Sequence, residues 1–243
     1  MARYFIHFAY DGTGYAGWQR QPNAITVQQR LDDALSLLLR ESVETVGAGR
    51  TDAGVHARHM VAHFDFGSID NLDQLCFRIN GVLPPDISVQ RIEKVSDDLH
   101  ARFSAKQRVY HYYLHQSRDP FLRHYSLESH FALDFKLMNE AAAHLLTVTD
   151  FAAFAKVHTD VKTTICHVTE AQWIQIDCNK WLFRISADRF LRNMVRAIVG
   201  TLLNVGRGKT SLSEFVQIVA EGDRCQAGDS APAHALFLED VIY

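Results

Sequence analysis

A glycine-rich segment at residues 47–57 carries the side chains best suited to chemistry. Its three glycines, at 47, 49 and 54, permit tight turns and allow a ligand to approach the backbone closely. Arg50 and Asp52 lie two residues apart, so a turn could direct both side chains to one site, where the arginine would keep the carboxylate ionised and orient it. Such a carboxylate can attack an electrophilic carbon or stabilise a developing cation. The simpler interpretation is a loop in which Asp52 caps the next turn and Arg50 is solvated.

Histidine and cysteine spacing predicts no metal centre. The four cysteines, at 76, 166, 178 and 225, form no CxxC pair, so we expect buried reduced thiols rather than a zinc site or a disulfide framework. His56, His59 and His63 would share one face of a helix, but residues 61–66 alternate as a strand does, which breaks that geometry. With no convincing nucleotide-binding loop either, we expect a protein that needs no cofactor.

Charge is unevenly distributed along the chain. The net charge of −3, from 25 basic and 28 acidic residues, argues mildly against nucleic-acid binding. Residues 100–124, however, contain five Lys and Arg against one acid, and residues 184–209 contain six against one. A polyanion needs only a local positive surface, so these stretches could bind one, or they could be ordinary solvated faces.

Hydrophobic periodicity predicts interleaved strands and helices. In the first half, residues 3–10, 61–66 and 87–95 resemble strands, residues 71–83 resemble a helix, and Thr26 is the predicted N-cap of another helix. In the second half, residues 106–116 and 236–242 resemble strands, and residues 163–175 and 181–187 a hairpin. Helices are predicted at residues 134–146, capped by Asp134, at 191–205, and at 211–221, capped near Ser211 or Ser213.

This order lacks a strict βαβ rhythm and predicts an α+β fold, with helices packed on one face of a mixed or antiparallel sheet. The two halves resemble each other, and the predicted boundary separates residues 1–104 from residues 105–243. No stretch approaches the ~18 apolar residues of a membrane span, and the first residues lack the features of a signal peptide. We therefore expect a cytoplasmic protein that does not enter a membrane.

Several motifs, in order along the chain, resemble those of the tRNA pseudouridine synthase A (TruA) family. The most specific is Arg50-Thr51-Asp52-Ala53-Gly54-Val55-His56-Ala57. The others are Tyr10-Asp11-Gly12-Thr13-Gly14-Tyr15-Ala16-Gly17-Trp18-Gln19-Arg20-Gln21, Thr26-Val27-Gln28-Gln29-Arg30-Leu31, His100-Ala101-Arg102-Phe103-Ser104-Ala105, Arg108-Val109-Tyr110-His111-Tyr112, Phe190-Leu191 through Arg196 to Gly200, and Ala231-Pro232-Ala233 to Tyr243. Together they run from residue 10 to the C-terminus.

The resemblance implies roles for individual residues. Asp52 matches the catalytic aspartate, Arg50 the arginine beside it, Tyr110 the tyrosine that packs on the target uracil, and Arg196 the arginine that pairs with the aspartate. Without the resemblance, Tyr110 would be interpreted as a core aromatic residue, and Arg196 as a charge that extends from an apolar helix to solvent.

The resemblance also implies a pseudouridine synthase fold with its active-site cleft between two α+β halves. It implies isomerisation of uridine at positions 38, 39 and 40 of the tRNA anticodon arm by a homodimer without cofactor. The Asp52 carboxylate would attack C1′ or C6 of the target uridine or assist glycal formation. Two alternatives are a non-catalytic RNA-binding module and a small-molecule N-glycosidase. Among the basic residues outside the matched catalytic positions, we predict tRNA contacts for Arg192, Arg207 and Lys209.

Overall fold

The computed structural model describes residues 1–156 and 162–243. These residues form two compact units, one made of residues Met1–Lys106 and Leu238–Tyr243 and the other of residues Gln107–Phe237. Each unit combines a sheet with helices, which confirms the predicted α+β class. Within the described residues, no helix combines the length and apolarity that crossing a membrane requires.

The first unit is built around an antiparallel sheet. Its elements are, in chain order, β1 (Ala2–Tyr10), α1 (Val27–Leu39), β2 (Val46–Gly47), β3 (His56–Phe66), α2 (Leu72–Val82) and β4 (Ile87–Val95). Strand β1 lies between β3 and β4, and the short β2 pairs with β3. Ile6 and Phe8 of β1 and Met60 of β3 are fully buried, which places the hydrophobic core on this sheet.

The second unit contains β5 (Gln107–His115), β6 (Leu127–Glu128), α3 (Phe135–His144), β7 (Val168–Asp177), β8 (Lys180–Ala187), α4 (Met194–Gly206) and α5 (Leu212–Glu221). Strand β8 lies antiparallel between β5 and β7, whereas β6 runs parallel to β5. Eleven of the thirteen residues of α4 are buried, so α4 is the central helix of this unit. Strand β9 (Leu236–Ile242) contributes its first two residues to this unit and the rest to the first.

Three helices have the N-caps that side-chain chemistry predicts. The Thr26 hydroxyl accepts a hydrogen bond from Gln29 N at 3.3 Å, and the Asp134 carboxylate accepts one from Leu137 N at 2.9 Å. Ser211, rather than Ser213, caps α5, and its hydroxyl accepts from Glu214 N at 3.2 Å. Each cap satisfies a backbone N–H that has no partner inside its helix.

Three elements begin three or more residues away from their predicted starts. Strand β3 begins at His56 rather than residue 61, because its first residues already pair with β1. Helix α4 begins at Met194 rather than residue 191, because Asn193 has a left-handed backbone (φ 66°) that a helix cannot continue through. Strand β7 begins at Val168 rather than residue 163.

Candidate active site

Asp52 lies in a tight turn of the first unit. Its carbonyl oxygen accepts a hydrogen bond from Val55 N at 3.1 Å, which closes the turn. Gly54 supplies the left-handed backbone (φ 78°) that the turn requires, and its N–H donates to Tyr15 O at 3.3 Å. The Asp52 side chain is half-buried. The turn therefore fixes the backbone of Asp52 and leaves part of the residue accessible.

A buried hydroxyl pair fixes the residue before Asp52. The Thr51 and Tyr10 hydroxyls are 2.8 Å apart, and both side chains are almost completely shielded from solvent. The Thr51 carbonyl also accepts a hydrogen bond from Trp18 N at 3.3 Å. A buried polar pair is stable only when each group finds its partner, so this contact holds the loop to the end of β1.

Two glycines of the segment at residues 10–18 bring it against the Asp52 turn. A Cβ atom on Gly12 would lie 2.0 Å from the Val55 carbonyl oxygen, and one on Gly17 would lie 2.4 Å from the Thr51 carbonyl oxygen. Gly17 also has a left-handed backbone, with φ of 90°. Only glycine allows this backbone-to-backbone packing. The two glycine-rich motifs, some forty residues apart in sequence, thus form one packed structure around Asp52.

Arg50 does not contact Asp52 in the way that would orient its carboxylate. It is exposed, and it makes no hydrogen bond or ion pair with any residue that the structure describes. The packed loops therefore fix the backbone of Asp52 without a contact from Arg50, whose guanidinium remains available to a ligand.

Tyr110 lies on β5 of the second unit, opposite Ile185 of β8. Only 8% of its surface is exposed, and its ring meets Phe190 edge-to-face with ring centroids 5.0 Å apart. Such aromatic pairs are worth about 0.5–1.5 kcal/mol beyond simple burial and hold both rings in place. The sequence motif contains Phe190, but only the structure shows that it supports Tyr110.

Arg196 occupies the first turn of α4 and is half-buried. Its Nε donates a hydrogen bond to the Ala231 carbonyl at 2.7 Å, and Ala231 N donates to Arg196 O at 2.9 Å. The segment that carries Ala231 can approach α4 closely because Gly200 has no Cβ atom. A Cβ atom there would lie 1.7 Å from Asp229 O. The helix dipole disfavours a cation in the first turn, so stability alone does not explain an arginine here.

The three residues predicted to bind RNA differ in their surroundings. Arg192 and Lys209 are exposed. The Arg207 guanidinium stacks over the Phe131 ring, 4.1 Å from its centroid, and its Nε atom is buried without a hydrogen-bond partner among the described residues. Arg207 therefore has a packing role in addition to its charge.

The histidines of β3 take part in separate interactions. His56 Nδ1 accepts a hydrogen bond from Gly12 N at 3.0 Å, and His59 Nδ1 lies 2.6 Å from the Asp240 carboxylate. His63 Nδ1 accepts from Ala101 N at 3.2 Å, and burial lowers its pKa to about 4. Within residues 1–156 and 162–243, no group of three such side chains could hold a metal ion.

Comparison with known proteins identifies the family. The sequence model of a family described as tRNA pseudouridine synthase matches residues 6–104 and 141–243. The chain belongs to the tRNA pseudouridine synthase family. This confirms the resemblance found in the motifs. The matched segments of the tRNA pseudouridine synthase family include the Asp52 turn and α4, and they leave out residues 105–140.

Individual relatives cover the chain from end to end. A tRNA pseudouridine synthase A from Bacteroides fragilis is 54% identical over 244 residues, which cover 100% of this chain and 97% of the relative. One from Porphyromonas gingivalis is 54% identical over 246 residues, covering 100% and 98%. A more distant one from an Exiguobacterium species is 37% identical over 243 residues, covering 100% and 98%.

Proposed function

We propose that this protein converts uridine to pseudouridine in tRNA, at positions 38, 39 and 40 of the anticodon stem and loop, and that Asp52 is its catalytic residue. The observation that carries the proposal is the position of Asp52. Its carboxylate stands in the family's most specific motif, on a turn held by Tyr10, Gly12 and Gly17. A catalytic carboxylate must start from a fixed backbone position, and this turn provides one.

The reaction needs one such carboxylate and no exchange of groups with water beyond a proton. The N1–C1′ bond of the target uridine breaks, the uracil turns, and C5 bonds to C1′. C5 then loses its proton and N1 gains one, so that the product is an isomer of the substrate. Hydrolytic glycosidases need a second carboxylic acid to protonate the leaving group. An isomerase recaptures its own leaving base, so the lone Asp52 carboxylate is sufficient, whether it attacks C1′ or C6 or assists glycal formation.

The supporting residues have distinct chemistry. Tyr110, held edge-to-face by Phe190, offers an aromatic ring for stacking on the target uracil. Arg196, fixed by its bond to Ala231 O, and the exposed Arg50 supply positive charge for the anionic groups of the reaction and of the RNA. The target base must leave its stack to reach the carboxylate.

The protein would bind the tRNA mainly through contacts with its phosphates and by recognition of its shape. Arg192, Arg207 and Lys209 are the proposed phosphate contacts, and the active form is proposed to be a cytoplasmic homodimer. No cofactor is part of the proposal, since the chemistry oxidises nothing.

The test is to incubate the purified protein with an unmodified tRNA transcript that has uridines at positions 38–40 and to map pseudouridine at each residue. Conversion at these positions, unchanged by EDTA once the RNA is folded, is the expected result. Binding of the tRNA without conversion would instead identify an RNA-binding module, and release of free uracil would identify an N-glycosidase.

A further inference from the structure

A loop at residues 116–126 projects from the end of β5 in the second unit. It begins next to His115, and the chain returns as β6, whose Leu127 lies beside Leu114 in a parallel pair. The two ends of this eleven-residue loop are therefore neighbours, which makes it a compact Ω-loop. The buried pair of His115 Nδ1 and Ser126 Oγ, 2.9 Å apart, closes its base.

Hydrogen bonds within the loop fix its tip. The Asp119 carboxylate accepts from Phe121 N at 2.9 Å, and the Asp119 carbonyl accepts from Leu122 N at 3.2 Å. The Leu122 carbonyl in turn accepts from Tyr125 N at 2.9 Å and Ser126 N at 3.0 Å. Because the backbone of the loop is already ordered by these bonds, ligand binding would cost little conformational entropy in the loop.

Phe121 at this tip is 86% exposed. It therefore adds little to the hydrophobic core. Single exposed apolar side chains are ordinary on protein surfaces, so the charges beside Phe121, and not its exposure alone, point to a ligand. The neighbours of Phe121 in the loop are the cations Arg118 and Arg123. Arg118 and the terminal nitrogens of Arg123 make no hydrogen bond or ion pair with the described residues, and Arg123 Nε donates to His124 Nε2 at 2.8 Å.

We propose that the Phe121 ring is a stacking platform for an unpaired base of the tRNA, with Arg118 and Arg123 on the flanking phosphates. An aromatic face among cations is the combination that binds single-stranded RNA, since every base has a π face and every linkage has a charge. The one acid of the loop, Asp119, is engaged with the backbone of Phe121, which lowers its competition with phosphate.

This proposal rests on the proposed function for the identity of the RNA, but it concerns residues outside the catalytic set. The loss of the platform is expected to affect tRNA binding rather than the chemical step.

The test compares variants of Phe121 by their Kd for unmodified tRNA and by their single-turnover rate of pseudouridine formation at saturating tRNA. Phe121→Ala should weaken binding about five- to hundred-fold, the range for loss of one stacked base. Phe121→Leu should lose nearly as much, because it keeps an apolar side chain without a π face, and Phe121→Trp should retain binding. The saturated rate should stay unchanged in all three.

Phe77→Ala is the matched control. Phe77 is 81% exposed on α2, and the residues one turn away on its face are Asp73 and Gly81. The adjacent Arg78 does not share that face, because successive helix residues do not face each other, so removal of the Phe77 ring should leave the Kd unchanged. The proposal is overturned if Phe121→Ala binds tRNA as tightly as Phe77→Ala does, or if Phe121→Leu binds as tightly as the unaltered protein. If the unaltered protein binds tRNA but forms no pseudouridine, the proposed function is wrong. The Kd values of the Phe121 variants would still show whether the ring stacks on a base.

Discussion

Gly17 is the residue whose replacement most directly tests the packing around Asp52. A methyl group there would lie 2.4 Å from Thr51 O and would also strain a backbone with φ of 90°. Gly17→Ala should therefore shift the Asp52 turn and lower single-turnover pseudouridine formation about 100-fold, the effect of a displacement near 1 Å. It should also destabilise the protein by about 1–3 kcal/mol.

Gly49→Ala is the control for that substitution. Gly49 lies in the same glycine-rich segment, but nothing lies within 4 Å of the added methyl group and its φ is not in the left-handed range. The free energy of unfolding of Gly49→Ala, and its activation free energy for pseudouridine formation, should each stay within about 0.5 kcal/mol of the values for the unaltered protein. Equal effects of the two substitutions, measured as rates and urea midpoints, would mean that close packing at Gly17 does not position Asp52.

The buried carboxyl group of Asp32 makes the stability of the protein depend on pH. Its side chain is buried, and Oδ1 accepts from Thr45 N at 2.9 Å and Thr45 Oγ1 at 2.7 Å, yet burial raises its pKa from 3.8 to about 6. Between these values the folded protein keeps a proton that the unfolded chain has released. The contribution of Asp32 to stability is therefore lost as pH rises from about 4 to about 6.

Asp32→Asn keeps the acceptor oxygen and cannot ionise. Its free energy of unfolding, relative to the unaltered protein, should rise by a few kcal/mol between pH 4 and pH 6, at about 1.4 kcal/mol per unit of pKa difference. Urea unfolding at several pH values measures this. Parallel stability profiles for the two proteins would show that Asp32 does not titrate between folded and unfolded states as described.

Among the elements, α5 offers the clearest test of local stability. Ser211 Oγ accepts from Glu214 N at 3.2 Å, and the Glu214 carboxylate accepts from Ser211 N at 2.7 Å, so each side chain satisfies the other's backbone. Ser211→Ala should cost about 1 kcal/mol in the free energy of unfolding. Ser213→Ala should cost less, because the Ser213 hydroxyl meets the Ser211 hydroxyl at 3.1 Å but is not the acceptor for Glu214 N. A cost for Ser213→Ala as large as for Ser211→Ala would contradict this assignment of the cap.

The elements that sequence predicted well are those with strong periodicity and a capping residue. Strands β4 and β9 have the predicted bounds, and Thr26, Asp134 and Ser211 cap their helices as side-chain chemistry requires. The two-residue strands β2 and β6 were not predicted, because so short a segment has no period of its own. Their existence depends on a partner strand distant in sequence.

In the candidate site too, some features could be predicted from the sequence and others could not. Sequence motifs picked out Asp52, Tyr110 and Arg196, because residue types at motif positions are visible in the chain. What holds them was not predictable: Tyr10 reaches Thr51 across 41 positions of sequence, and Ala231 reaches Arg196 across 35. The left-handed backbones of Gly17 and Asn193 also depend on these tertiary contacts. The glycines at 12 and 17 are visible in the sequence, but their close approach to Val55 and Thr51 is not.

For the whole molecule, charge placement matters more than the net charge of −3. If Arg192, Arg207 and Lys209 contact phosphates, binding should weaken steeply with salt, and each lost contact should lower the slope of log K against log salt by about one unit. The triple alanine variant should thus bind more weakly and with a slope lower by about three. Filter binding at several salt concentrations measures both quantities.

A matched triple variant shows whether tRNA binding depends on the location of the removed charges or only on the net charge. Arg78, Lys94 and Lys136 are exposed cations outside both basic stretches, so their replacement by alanine removes the same charge. That variant should keep nearly all of the salt slope. Equal losses in the two variants would show that the tRNA senses only overall charge, and no loss in the first would place the phosphate contacts elsewhere. Because Arg207 also packs on Phe131, folding of the first variant must be verified by thermal unfolding.

The most direct test of the central claim is the single-turnover rate of pseudouridine formation by Asp52→Asn at saturating unmodified tRNA. The substitution keeps the size of the side chain and the turn closed by Val55 N, so the variant should fold and bind tRNA as the unaltered protein does. It should lose about four orders of magnitude or more in rate, as expected when a reacting group is removed. A variant that binds tRNA normally and keeps even a tenth of the activity would contradict the assignment of Asp52 as the catalytic residue.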